Sequence, residues 1–583
     1  MRKIIIGIAA CLCCTVLPAA ERDVDAYVYN KYNGLSGGNQ ASWGALNCHD
    51  PKLFQDDDGT YYVYSTDASM GNVHKPGLQV RTSKDLVHWE CSAKSALQGN
   101  WDKDFLSWVG QNAASATTWA PTVIKQNGLY YMFHGVITDS ITPGQPTACI
   151  ALAIASGPTG PFYPAVTAAS KEPVIAEKLS ALGVSYAQSV LVRYAWSSSK
   201  TKNTASYKTL DAENSGSASW NGGFGAIDPE FVSDVSDGSL ETVKIGNNDC
   251  YAVTYGSWKG GIALMYVDAV SLKPVDAAGN ELDAPADTVD GAFGTLIAGG
   301  AGAAFEGAQV IYNKNTGYYY IFVSMGDLNN DYRVGVGRSK LLTGPYLDAS
   351  GDDMKFTMPG IAAAYHAYGS KIIGASAVKD ELSWRCPGGE SILRSQDGKI
   401  LFASHSRTNF LPGYYFYLQI RQMFFTSDGW PVLNQNEYYN DYNGSDERLF
   451  PLTAEEIAGT YDSILTSRGS GTRTYTPYGG SPVDCNAFDG VPAESAEMTL
   501  NADGTIGGKK YKGTWRVSVD DGYTVTISLT KADGKNLGTF TGYVLRATDW
   551  ARRGRGPRKT LTFTTIDANN DAESGEYFFG NKR

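Results

Sequence analysis

One short pattern recurs five times along the chain and limits its fold more than any other feature. A turn residue is followed by Gly or a small polar residue, then by a run of β-branched and aromatic residues. The first three copies are Asp58-Gly59-Thr60-Tyr61-Tyr62-Val63-Tyr64, Asn127-Gly128-Leu129-Tyr130-Tyr131-Met132-Phe133 and Asn248-Asp249-Cys250-Tyr251-Ala252-Val253-Thr254. The last two are Thr316-Gly317-Tyr318-Tyr319-Tyr320-Ile321-Phe322 and Asp397-Gly398-Lys399-Ile400-Leu401-Phe402-Ala403. Each reads as a tight turn feeding a strand. Successive copies begin roughly 70 to 120 residues apart, enough for about four strands and their loops. No strong helical period stands out between them. Five sheet-sized units from about residue 45 to 430 predict an all-β chain with a five-bladed β-propeller. An irregular β-sandwich is the alternative. The 65 glycines and 36 tyrosines suit short strands joined by tight turns.

A second element lies upstream of each copy: a polar residue beside Pro or Gly. In order these are His49-Asp50-Pro51, Trp119-Ala120-Pro121-Thr122, Ile227-Asp228-Pro229-Glu230, Glu306-Gly307-Ala308-Gln309 and Pro387-Gly388-Gly389-Glu390-Ser391. The innermost strand of a propeller blade comes first and faces the axis, so one such segment per blade aims into a shared funnel. Asp50, Asp228 and Glu306 would then meet despite their distance in sequence. Carboxylates so gathered suit cleavage of a glycosidic bond, which needs one group to protonate the departing oxygen and another to activate water or attack the sugar. Mutual repulsion would keep at least one protonated near neutral pH. Any single Asp-Pro is also an ordinary turn signal; the repeated context is what singles these out.

The chain ends and the charge balance bound the setting. Arg2 and Lys3 precede an apolar stretch from Ile4 to Leu17, too short to span a bilayer, so residues 1–20 read as an export signal. Ile8-Ala9-Ala10-Cys11 has lipobox-like chemistry and leaves a lipid-anchored form open. No later apolar run reaches membrane length. A net charge of -11 argues against nucleic acid and is compatible with a neutral glycan. Six cysteines follow the signal: Cys48, Cys91, Cys149, Cys250, Cys386 and Cys485. Their wide scatter excludes metal-cluster spacing and leaves disulfides and buried free thiols both open.

The order His49-Asp50-Pro51, Trp119-Ala120-Pro121, Ala226-Ile227-Asp228-Pro229 and Glu306-Gly307 resembles glycoside hydrolase family 43. Tyr255-Gly256-Ser257-Trp258-Lys259-Gly260-Gly261-Ile262, Val336-Gly337-Arg338-Ser339, Gly344-Pro345-Tyr346, Tyr368-Gly369-Ser370-Lys371 and Asp428-Gly429-Trp430-Pro431 resemble its arabinanase branch. The resemblance implies hydrolysis, with inversion, of α-1,5-L-arabinofuranosyl linkages of arabinan. Asp50 would be the general base, Glu306 the general acid, and Asp228 the residue that tunes and orients Glu306. Trp119, His49, Phe133 and Trp258 are candidates for contact with sugar, with blade packing as the competing role for the three aromatics. A non-catalytic glycan-binding propeller and an exo-acting arabinofuranosidase or xylosidase are the rival readings. A monomer is expected.

Departures cluster near the site. Relatives usually carry Asp where this chain has Thr122, and His-Asn where it has Gly389-Glu390. In relatives that His helps hold a metal, often calcium. Here no cofactor is required by the acids themselves, and Glu390 is the candidate ligand if an ion binds. His405 resembles a fifth-blade strand motif, and His366 reads as a loop residue. The propeller is expected over 21–450 and a C-terminal β-barrel or sandwich over 451–583, where Tyr511 to Val519 and Tyr523 to Leu529 look like strands. The basic run Arg552-Arg553-Gly554-Arg555-Gly556-Pro557-Arg558-Lys559 reads as a solvated hairpin loop.

Overall fold

The computed structural model describes residues 43–67, 76–109, 117–137, 146–195, 224–258, 260–379, 383–408, 416–438, 449–466, 472–475, 483–486, 490–549, 558–567 and 577–583. The expected export signal and most of the basic run lie outside these residues. Among the described residues no helix is long and apolar enough to cross a membrane.

Five mainly antiparallel sheets form the five blades, with Ser233–Asp234 added in parallel beside the blade-four strand Phe305–Asn313. Blade one is Lys52–Gln55, Tyr61–Ser65, Gln79–Ser83 and Glu90–Cys91. The innermost strands of blades two to five are Thr117–Gln126, Glu230–Phe231, Phe305–Asn313 and Trp384–Arg394. The five aromatic repeats are the turns and second strands: Tyr61–Ser65, Leu129–Ile137, Asn248–Tyr255, Tyr318–Met325 and Ile400–Thr408. These runs are continuously apolar because a blade is covered by neighbours on both faces. Tyr61 packs with blade five, whereas Tyr62 and Tyr64 pack with blade two. Ile321 belongs to the core shared with blade three, and Tyr320 and Phe322 to the core shared with blade five.

The ring closes through the first described residues. Leu418 N–H donates to the Ala45 carbonyl at 2.8 Å, and Trp43, Ala45 and Leu46 are buried against blade five. Blade two carries three short helices, Lys103–Val109, Ala165–Lys171 and Pro173–Ala181, that the sequence reading did not anticipate. At seven to nine residues each, they are too short to leave a clear 3.6-residue period.

Beyond the propeller, eight strands from Gly459–Leu465 to Tyr577–Lys582 form a closed barrel, which leaves no sheet edge exposed. It is stitched to the propeller. Ala493–Glu494 adds to the blade-five sheet beside Ser376–Ala377, and Leu545 and Ile566 join a core cluster of blades four and five. Asn436 and Asn581 exchange side-chain hydrogen bonds at 2.9 and 3.1 Å. Cys48, Cys91, Cys149, Cys250 and Cys386 are buried free thiols, which decides the alternatives for those five.

Candidate active site

Each innermost strand enters the axis through a residue in the left-handed backbone region: Asp50 at φ 49°, Ala120 at 37°, Asp228 at 56°, Gly307 at 61° and Gly389 at 57°. In blades two, four and five the strand ladder skips at this point, between Trp119 and Thr122, Glu306 and Gln309, and Gly388 and Ser391. A bulge re-aims side chains out of the sheet. Asp and Gly tolerate positive φ better than β-branched residues. The five equivalent turns produce two tiers of side chains. Asp50 and Asp228 sit at the left-handed residue. Glu306 sits one residue earlier, level with His49, Trp119, Ile227 and Gly388.

The turns converge on one pocket lined by His49, Asp50, Trp119, Asp228, Glu306 and Glu390, and by Leu328 and Tyr332. All three candidate acids are therefore brought together. Asp50 Oδ2 accepts from Thr66 Oγ1 at 2.7 Å, and its Oδ1 lies 3.3 Å from His49 Nε2. Asp228 Oδ2 accepts from the Gly307 N–H at 3.0 Å, so it grips the backbone beside Glu306. Glu306 Oε2 accepts from Ser257 Oγ at 2.6 Å, and its Oε1 from Tyr332 OH at 2.5 Å.

Burial governs the proton affinities. Burial, then the Glu306 charge, pushes the Asp228 carboxyl well above the usual range, and the Gly307 N–H only partly offsets them. Glu306 is raised by burial against the opposing pull of its Ser257 and Tyr332 hydrogen bonds. Burial lowers His49 and holds His405 far below its ordinary range, so His405 stays neutral. The result is a pocket in which Asp228 and Glu306 are both raised in proton affinity.

The other expected residues divide. Trp119 lines the pocket while packing on the core of blades two and three. His49 lines it too, stacked on Phe416 at 4.1 Å. Phe133 does not: it is 1% exposed, paired across from Thr122 and packed on Phe231, so its expected sugar contact is corrected. Past the bulge, its position on the second strand points into the space between blades. Trp258 also lies outside the pocket lining; its backbone N–H donates to the Phe305 carbonyl at 2.8 Å.

The expected metal ligand is displaced as well. Among the described residues, ligand atoms of His49, Asp50 and His405 lie within 4.8 Å of one another, and Glu390 is not in that group. Glu390 Oε2 accepts from Ser324 Oγ, and burial pushes its carboxyl up to about 8, leaving it neutral near pH 7. Two imidazoles and one carboxylate do not supply the oxygen-rich shell that calcium takes. The residues present therefore do not fit a protein-held calcium ion.

Sequence reasoning missed the second layer. Below the acids, Glu230 accepts from Lys52 and from Thr122 Oγ1 at 3.2 Å. A carboxylate from blade three thus stands beside the position where Thr122 replaces the Asp usual in relatives. The signal was readable: Lys52, Thr122 and Glu230 occupy the same register, two residues past each left-handed turn. Tyr332, Ser257 and Thr66 carried no such signal, because each lies on a strand or loop outside the five repeated turns.

Two family descriptions match the sequence. Glycosyl hydrolases family 43 covers residues 44–179 and 265–431, and a C-terminal lipocalin-like domain covers 439–574. The chain is 28% identical over 438 residues to the extracellular endo-α-(1→5)-L-arabinanase of Thermotoga petrophila, covering 71% of this chain and 75% of that one. It is 24% identical over 561 residues to extracellular endo-α-(1→5)-L-arabinanase 2 of Bacillus subtilis, covering 92% and 93%. The crystal structure of the Thermotoga petrophila endo-1,5-α-L-arabinanase superposes with a TM-score of 0.65 at 23% identity, over 93% of this chain and 99% of that one; at this identity the likeness speaks for the fold.

Proposed function

The chain belongs to glycosyl hydrolase family 43 and is a glycosidase, and from that premise we propose that it cleaves α-1,5-L-arabinofuranosyl linkages inside arabinan with inversion at the anomeric carbon. The observation that carries the reading is the convergence of Asp50, Asp228 and Glu306 on one pocket, with Glu306 raised in proton affinity. The endo preference and the substrate follow the names of the relatives above. Export follows their description as extracellular, together with the signal-like segment at residues 1–20.

In this mechanism Asp50 takes a proton from water. Thr66 fixes its Oδ2 and leaves Oδ1 as the basic edge. The water attacks the anomeric carbon as Glu306 delivers its proton to the departing glycosidic oxygen. Asp228 holds the backbone at Gly307, which orients Glu306.

The test is product analysis on linear arabinan, with the anomer of the first product read by proton NMR. Accumulating arabino-oligosaccharides formed with inversion are expected. Release of monosaccharide alone would favour the exo-acting arabinofuranosidase or xylosidase reading, and retention would remove Asp50 from its role as base. Asp50→Asn is expected to lower kcat by about 10²–10⁴-fold. Unchanged sugar release would instead support a glycan-binding propeller whose acids are not catalytic.

A further inference from the structure

The tier of side chains level with Glu306 has a vacancy. Four blades fill it with His49, Trp119, Ile227 and Glu306, whereas blade five has Gly388. A Cβ on Gly388 would lie 2.2 Å from Tyr332 Cδ1 and 2.4 Å from its Cε1. The Tyr332 ring, carried by blade four, therefore occupies the space a blade-five side chain would take. Its hydroxyl reaches Glu306 Oε1 at 2.5 Å, and its ring stacks on His405 at 5.8 Å with an 11° interplanar angle. The loop before Tyr332 is pinned across blade five. Arg385 Nη1 donates to the Asn329 carbonyl at 2.7 Å, and Arg407 Nη2 to Asn329 Oδ1 at 2.6 Å.

We propose that Tyr332 is a positioning residue for proton donation: seated in the gap left by Gly388, its hydroxyl holds Glu306 and stabilises the carboxylate that remains after the proton leaves. The proposal rests on the hydrolytic reading above. As the glycosidic C–O bond breaks, the electron pair stays on the leaving oxygen, the Glu306 proton moves to it, and Glu306 becomes an anion. Tyr332 donates to that anion at Oε1, and Ser257 donates at Oε2. A hydrogen bond to a charged group is stronger than one to a neutral group, so the donor favours the product of proton transfer over the starting acid. The effect matters for a poor leaving group, a sugar alkoxide, and little for a nitrophenolate that departs without a proton.

Tyr332→Phe keeps the ring in the gap and removes only the hydroxyl. On an α-1,5-arabino-oligosaccharide kcat should fall about 10- to 100-fold with KM little changed. On the nitrophenyl glycoside of an arabinobiose, nitrophenol release should be nearly unaffected. Equal losses on both substrates, or no loss on either, would overturn the proposal. Carbon-13 NMR of glutamate-labelled protein provides a reading without substrate, with Glu306→Gln for assignment. Asp50 and Asp327 also raise Glu306, Asp228 is itself raised by the Glu306 charge, and all three are retained in the variant. Loss of the Tyr332 donor should move the Glu306 titration up by about one pH unit, and an unmoved titration would overturn the proposal. A wild-type protein that cleaves neither glycoside would sink the arabinan reading alone, and the titration would still decide the role of Tyr332.

Discussion

Glu390 is a carboxyl group placed where charge is expensive. Ser324 Oγ satisfies Oε2 at 2.6 Å, and Oε1 is buried without a hydrogen-bond partner. Burial raises the group from an ordinary 4.5 to about 8. The folded chain therefore binds a proton that the unfolded chain has released between those values. Stability from this group is fully present below pH 4.5 and is lost as pH rises toward 8. The slope is about 1.4 kcal/mol per pH unit, a few kcal/mol across the window. Glu390→Gln should flatten the decline in urea-unfolding free energy between pH 5 and pH 8 relative to wild type; parallel curves would show that Glu390 is not the titrating group. Asp228 and Glu306 are raised by burial too and remain in both proteins; Glu390 also raises Asp228, so its removal lowers that group and flattens the decline in the same direction.

At the scale of the element, the left-handed turn at each innermost strand does the positioning. The acids and their neighbours are placed by five copies of one backbone device, with different side chains at equivalent points. Gly389 shows its constraint. Its φ is 57°, and a Cβ there would meet Asp50 Oδ1 at 2.6 Å and His405 Nδ1 at 2.8 Å. Gly389→Ala should cost about 1–3 kcal/mol of stability through backbone strain and contact. It should also lower kcat, because the contact falls on the expected base. A variant of wild-type activity in kinetic assay would mean that Asp50 can yield without cost. The turns were half legible. Asp50-Pro51 and Asp228-Pro229 announce themselves, but Glu306 precedes its turn residue by one, and no local pattern tells which tier a side chain joins. That depends on the bulge in the ladder, which forms only when the second strand pairs.

For the whole molecule, the barrel and propeller share core and sheet. Leu545 and Ile566 pack with Val334, Phe402 and Met423, Thr564 Oγ1 donates to the Leu433 carbonyl at 2.7 Å, and Tyr543 OH donates to the Phe425 carbonyl. Such an interface couples unfolding, so scanning calorimetry of the full chain should show one main transition; two well-separated peaks would show that the parts melt independently. The all-β class, five repeats and three candidate acids could be read in the sequence, because turn chemistry and strand composition are local and recur at domain spacing. The helices of blade two were too short to signal themselves. The core position of Phe133, the displacement of Glu390 from the possible ligand cluster, and the Lys52–Glu230 pair beside Thr122 were decided by tertiary structure. So was the meeting of Tyr332 with Glu306 across the gap at Gly388. Each depends on which blade faces which across the axis, and that relation exists only after the ring has closed.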